Sequence, residues 1–217
     1  MKIVIPGNPR KLDNYIAAME GVGLEPVPLM EASCIRGFAG LVLPGGGDIE
    51  PALYGEENRG SDGIDRAVDD AQLALADAFI RAGKPVIGIC KGLQILNVYF
   101  GGGLIQHLAV ADAHRREEGD AVHGCVSLPG TVSERLYGRR YAVNSAHHQA
   151  LGRLGSGLRV TSAAEDGTVE SVAHDTLPVF GVQWHPERMC FAKARTDTVD
   201  GAEVFRYFRS LLREDRS

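Results

Sequence analysis

No stretch of this chain approaches about 18 consecutive apolar residues, so it offers no membrane-spanning helix. No lysine/arginine-rich patch marks a nucleic-acid surface. The arginine pairs at 115–116 and 139–140 read as solvated loop charges, and the net charge is -5. There is no C-x-x-C pair either. Cys34, Cys90, Cys125 and Cys190 are too scattered to form a disulfide framework in 217 residues, and they read as reduced thiols of a cytosolic protein. The opening MKIVIPGN enters a strand directly and lacks the apolar core of a secretory leader, so a cytoplasmic location is expected. Repeats, low-complexity runs and linkers are missing too, and 217 residues fit one domain, which is expected over 1–217. With 44% hydrophobic and 24% charged residues the composition can build a sizeable core.

What is present alternates between strand and helix, the pattern of an α/β fold with a mainly parallel sheet. Strands are expected at 2–6, 25–29, 40–44, 86–89, 122–128, 140–143, 158–163, 169–174 and 179–184. Helices are expected at 8–21, 65–82, 93–100 and 202–212, the last with Val204, Phe205, Phe208, Leu211 and Leu212 facing inward. Residues 109–120 read as a polar loop, and Asp166-Gly167 as a hairpin turn.

Three strand ends carry chemistry. Gly88-Ile-Cys-Lys-Gly92 is G-x-C-x-G between a strand and a helix, the thiol counterpart of the G-x-S-x-G nucleophile elbow. A cysteine there sits at a helix N-terminus, which favours the thiolate. The competing reading of Cys90 is a buried, inert thiol. A second strand ends in His185-Pro-Glu187. Pro186 breaks the strand and lets Glu187 turn back to orient the His185 imidazole, giving Cys-His-Glu roles to residues joined only by the fold. A third strand runs into Gly45-Gly-Gly47. Gly46 and Gly47, with Gly45, can aim backbone N–H groups at a developing oxyanion, and the N–H of Lys91 is a further donor. No G-x-x-x-x-G-K-[ST] is present to make this loop a phosphate cradle. The adjacent His147 and His148 invite a metal reading, but neighbouring side chains diverge and no third ligand has suitable spacing, so no metal and no cofactor are expected.

PGGGDIEPALYGE (44–56), DRAVDDAQLALADAF (65–79), GICKGLQILNVYFGGGLIQHL (88–108), VNSAHHQA (143–150), EDGTVES (165–171) and GVQWHPE (181–187) recur in the order of a known family. The chain resembles the class I glutamine amidotransferase superfamily, and within it the γ-glutamyl-γ-aminobutyrate hydrolases, the C26-type cysteine peptidases. The resemblance implies a flavodoxin-like three-layer α/β sandwich with Cys90, His185 and Glu187 as the triad. It implies that Ser145, His147, His148 and Gln149 contact the substrate and that Gln94 serves the site. Asp48 is placed to hold the glycine loop and Tyr54 to close over the pocket. Asp166 and Glu170 belong to the hairpin, and His107 and His123 read as structural. The implied activity is hydrolysis of a γ-glutamyl amine, such as γ-glutamyl-γ-aminobutyrate from polyamine breakdown. Two alternatives stand beside it: a glutaminase subunit that feeds ammonia to a separate synthase, and a non-catalytic binding module. The expected partner is a small-molecule γ-glutamyl substrate, not nucleic acid or membrane, and a homodimer stays an option. This chain departs from the family in its short 6–35 region and its compact 109–120 loop, and it differs from synthase-linked glutaminase domains in having Lys-Gly where they have Leu-Gly after the cysteine.

Overall fold

The computed structural model describes residues 1–32 and 35–213. Cys34, read as a structural or incidental thiol, lies outside the described residues. The chain opens with β1 (Lys2–Ile5), α1 (Asp13–Gly21) and β2 (Glu25–Pro28). β3 (Gly40–Leu43), α2 (Arg66–Arg81), β4 (Val86–Ile89) and α3 (Lys91–Tyr99) follow. Next come β5 (Leu104–Ile105), α4 (Ala111–His114), β6 (Ala121–Ser127), α5 (Val132–Tyr137) and β7 (Arg140–Ser145). The chain then forms β8 (Ala150–Leu151), β9 (Leu158–Ala164), β10 (Val169–His174), β11 (Val179–Val182) and α6 (Ala202–Leu211).

Nine strands form one sheet in the order β2-β1-β3-β4-β11-β10-β9-β6-β7. The first five pair in parallel, in the 2-1-3-4-5 order of flavodoxin-like sheets. The remaining ladders are antiparallel. Only β6 and β10 therefore point against the other seven strands, and the sheet is mixed but mainly parallel in direction.

Strand side chains alternate between two cores, as period-2 geometry requires. Ile3, Ile5, Val42, Ile87, Ile89, Phe180 and Val182 face α1 and α6, with Tyr15, Met19, Phe205 and Phe208. Val4, Leu41, Leu43, Val86 and Val179 face α2 and α3, with Leu75, Phe79, Leu93 and Leu96. Helices on both faces of one sheet give the three-layer sandwich. α2 starts on Asp65, whose carboxylate accepts the Val68 N–H at 3.2 Å, and stops before Gly83 at φ +67°.

Three local differences from the sequence pattern have clear causes. The expected helix at 8–21 begins as a separate 3-10 turn, Pro9–Lys11, which Asn8 caps through Arg10 N–H and Leu12 closes on Pro9 O at 3.1 Å before serving as the N-cap residue of α1. The 109–120 segment holds one helical turn, α4, whose His114 is buried. α5 and the short β5–β8 pair are too brief to show a periodicity. No helix among the described residues is long and apolar enough to cross a membrane.

Phe208 is 1% exposed, and Phe208→Ala is expected to lower stability by about 3–5 kcal/mol. A lower urea midpoint with an unchanged m value is the reading that checks this.

Candidate active site

The site is built at the carboxyl ends of β3, β4 and β11. Cys90 N–H makes the last sheet bond, to Val182 O at 2.8 Å. The backbone then turns through φ +52°, ψ -108° at Cys90 and enters α3 at once. A non-glycine residue in this region is strained by about 1–3 kcal/mol and persists only where its surroundings enforce it. The surroundings here are two close backbone approaches. A Cβ at Gly88 would lie 2.4 Å from Gly92 C, and one at Gly92 would lie 2.1 Å from Leu43 O. The first N–H groups of α3, including that of Lys91, have no partner within the helix.

His185 follows β11. Its N–H donates to Asn144 Oδ1 at 2.9 Å, and its carbonyl accepts from Asn144 Nδ2 at 3.1 Å, so one amide side chain grips both sides of the residue. The 3-10 turn Pro186–Arg188 folds Glu187 back, and its Oε1 lies 2.8 Å from His185 Nδ1. That leaves the Nε2 edge for the thiol, and the two side chains meet beside the glycine loop, where a Cβ of Gly45 would lie 3.0 Å from His185 Cε1 and 3.5 Å from Cys90 Cβ. Both His185 and Glu187 are buried.

Burial pushes the Cys90 thiol up, but the charge and hydrogen bond of His185 outweigh it and hold the thiol below the ordinary value. Burial also disfavours the imidazolium, yet Glu187 first and Cys90 second raise His185 to about 10. The two shifts reinforce each other and favour a thiolate beside an imidazolium. Cys125 and Cys190 differ: burial drives both thiols up, Cys190 to about 12.

Gly45 N–H, a candidate oxyanion donor, is taken by the Tyr15 hydroxyl at 3.0 Å, which also lies 3.4 Å from His185 Nδ1. Burial raises the Tyr15 phenol well above its usual range, so it stays neutral. Among the described residues no hydrogen bond takes the N–H of Gly46 or Gly47. Both glycines, with Cys90 and Lys91, line a cavity of about 230 Å³. Gln94, His147, His148 and Gln149 also line it, whereas Ser145 is fully buried at the end of β7, outside the lining. Tyr54 is likewise outside the lining. The Asp48 side chain, expected to hold the glycine loop, bonds to two other segments: its Oδ2 accepts Asp62 N–H at 2.8 Å and lies 3.0 Å from His148 Nε2.

Several residues escaped the sequence reading. Tyr15 and Asn144 are remote from the residues they hold. Arg115 reaches the cavity from the segment after α4. The Lys91 ammonium lies 2.6 Å from Asp69 Oδ1, with side chains 3% and 0% exposed. Its stem passes 3.2 Å from where a Cβ of Gly46 would stand. This buried pair ties α2 and α3 beneath the glycine loop. The adjacent histidines diverge: His148 turns to Asp48, and His147 turns to Glu170, beside His114 and His123. Sequence spacing offered no third ligand near 147–148, but the fold supplies three carriers of one from distant segments.

Two outcomes are expected. Because the thiolate is the reactive form and its pKa is lowered, the rate of Cys90 alkylation should rise with a midpoint below the ordinary 9.0. Glu187→Gln removes the largest influence raising His185, so the imidazolium is lost at lower pH and the alkylation midpoint should move up. Peptide mass spectrometry across a pH series reads both, and a free-cysteine profile at Cys90 would sink the ion-pair assignment. Asp69→Asn should cost about 3–5 kcal/mol by leaving a buried ammonium unpaired, and Asp69→Leu with Lys91→Met should recover most of it in urea denaturation.

Residues 11–187 match the model of the Peptidase C26 family. The chain is 38% identical to the glutamine amidotransferase-like protein YvdE of Lactococcus lactis, over 68% of this chain and 65% of that protein. It is 31% identical to the γ-glutamyl-γ-aminobutyrate hydrolase PuuD of Escherichia coli, over 81% of this chain and 77% of that one. The glutaminase domain of the Trypanosoma brucei protein CTPS, solved with bound acivicin, superposes with a TM-score of 0.67 at 13% identity, covering 97% of this chain and 94% of that one. That likeness concerns the fold, and the sequence matches decide the family: this chain belongs to the glutamine amidotransferase-like Peptidase C26 family.

Proposed function

We propose that this protein is a cysteine hydrolase that cleaves the γ-glutamyl amide bond of a γ-glutamyl amine, releasing glutamate and the amine. The observation that carries this reading is the Cys90 thiol, beside His185 and lining the same cavity as Gly46 and Gly47, whose N–H groups no hydrogen bond takes among the described residues. At about 230 Å³ the cavity falls below the roughly 300–1,000 Å³ typical of drug-sized sites. It suits one amino-acid-sized acyl group. Asp48, Asp62 and Arg115 give its wall both signs of charge, as the ammonium and carboxylate of a glutamyl head require.

The steps follow from the positions. The Cys90 sulfur attacks the side-chain carbonyl carbon, and the C=O π electrons move onto oxygen. The N–H groups of Gly46, Gly47 and Lys91 receive that oxyanion. As the C–N bond breaks, His185 gives its proton to the departing amine. Water then enters; His185 takes its proton while the oxygen attacks the thioester. Collapse returns the thiolate and frees glutamate. Glu187 keeps the ring oriented and favours its charged form throughout.

The names borne by YvdE and similar relatives favour a second reading, a glutaminase that releases ammonia for a separate synthase. Both readings share the thioester and differ in the leaving group.

The purified chain should release glutamate from γ-glutamyl-γ-aminobutyrate faster than from glutamine, with no added protein. Cys90→Ala should abolish release, and Glu187→Gln should lower kcat/KM on the order of 10²–10⁴-fold. Glutamate release that survives Cys90→Ala would overturn the mechanism. A clear preference for glutamine, dependent on a synthase, would select the second reading.

A further inference from the structure

We propose that this protein binds one divalent transition-metal ion of the zinc class in a buried site made by His114, His123, His147 and Glu170. The four residues come from α4, β6, the β7–β8 connection and β10. One donor atom from each lies within 4.8 Å of all the others. Glu170 Oε1 is 3.6 Å from His114 Nδ1, 3.4 Å from His123 Nε2 and 3.5 Å from His147 Nε2. These separations exceed the range of about 2.7–3.2 Å in which good hydrogen bonds lie. They are close to the roughly 3.3 Å between neighbouring ligand atoms around a tetrahedral ion with bonds of about 2.0–2.1 Å.

The polar accounting points the same way. His114 Nδ1, His123 Nε2, His147 Nε2 and both Glu170 carboxylate oxygens are buried without a hydrogen-bond partner. Four such atoms, one from each residue, gathered within 4.8 Å of one another are unlike a protein interior, where buried polar groups are paired. The outer nitrogens are all directed elsewhere. His114 Nε2 faces Asp166 Oδ2 at 2.8 Å, His147 Nδ1 faces Gln149 O at 2.9 Å, and His123 Nδ1 faces Gly124 O at 3.4 Å. An imidazole that donates outward turns its lone pair inward. Three lone pairs and a carboxylate then converge on one point. A carboxylate or carbonyl behind each ring is also the usual support of a metal-bound histidine.

Three imidazoles and one carboxylate are a donor set suited to zinc. Four protein ligands close the coordination shell, so the ion has a structural place and not an open position for substrate. Its effect reaches the cavity through two neighbours. His147 lines it, and Arg115 follows His114 directly. The ion would pin that wall to β6 and β10. None of this depends on the hydrolase reading.

The test uses the full chain carrying Cys90→Ser, which removes the cavity thiol as a competing ligand. The protein is stripped with EDTA, given Zn²⁺ under reducing conditions, desalted and assayed for metal by mass spectrometry. One zinc per chain, a higher melting temperature than the stripped form, and intense visible absorption from tetrahedral Co²⁺ in its place are expected. Glu170→Gln and His123→Ala should each lose the ion, while His148→Ala, altering the neighbouring Asp48–Asp62–His148 cluster, should keep it. Failure of the chain with its four ligands intact to retain zinc or to give the cobalt bands overturns the proposal. So does loss of metal in His148→Ala with retention in Glu170→Gln. A zinc-treated chain that holds no metal and melts with the stripped one also overturns it, in favour of a protonated His147–Glu170 pair.

Discussion

The constraint on which the site depends is the backbone turn at Cys90. A side chain is held at φ +52° between a buried strand and a helix that begins at the next residue. Gly88, Gly92 and the Leu43 carbonyl crowd together so closely that the turn has no room to relax. That crowding brings β3, β4 and α3 into register, and the same register sets the glycine loop after β3 beside the thiol. The strain is local, while the packing that holds it is spread over both cores, which is how folded proteins sustain such residues.

The electrostatics are nested around that turn. His185 is fixed by Asn144 through its backbone and by Glu187 through its ring. Tyr15 occupies Gly45 N–H, and the next two glycines line the cavity with no hydrogen bond taking their N–H groups among the described residues. Lys91 and Asp69 set a buried charge pair under the same loop. Buried pairs of this kind contribute little net stability but are costly to break, so their effect is on geometry: they resist any rearrangement that separates partners.

Much of this was legible in the sequence for a simple reason. The elbow, the glycine loop and His-Pro-Glu are each contiguous and each end a short apolar run, so local pattern exposes them. The helix-on-both-faces architecture follows from the strand–helix alternation. The direction of β6 and β10 was not legible, because an apolar run does not record which neighbour it pairs with. Asn8-Pro9 read as a helix start but caps a separate turn, which Leu12 closes on Pro9 O before a second helix starts at Asp13. Tyr15, Asn144 and Asp69 lie 170, 41 and 22 positions from the residues they hold, and no local signal connects them. The histidines at 147–148 show both sides of the matter: adjacency correctly implied divergence, but spacing along the chain said nothing of Glu170, 23 residues on, or of His114 and His123 before it.

Asn144 ends as the most consequential of these unread positions. The parallel strands carry the cysteine, the histidine and the glycine loop, whereas the β7–β8 connection and Arg115 after α4 carry much of the opposite wall. Such a partition separates reactivity from selectivity, and it would let the wall drift over generations toward new ligands while the reactive half stayed fixed. One carboxamide spans that boundary: it grips His185 on both backbone faces and reaches Asp120 at 2.9 Å with the same nitrogen. The wall can therefore vary on either side of residue 144 but not at it, and that single position marks where the two halves must evolve together.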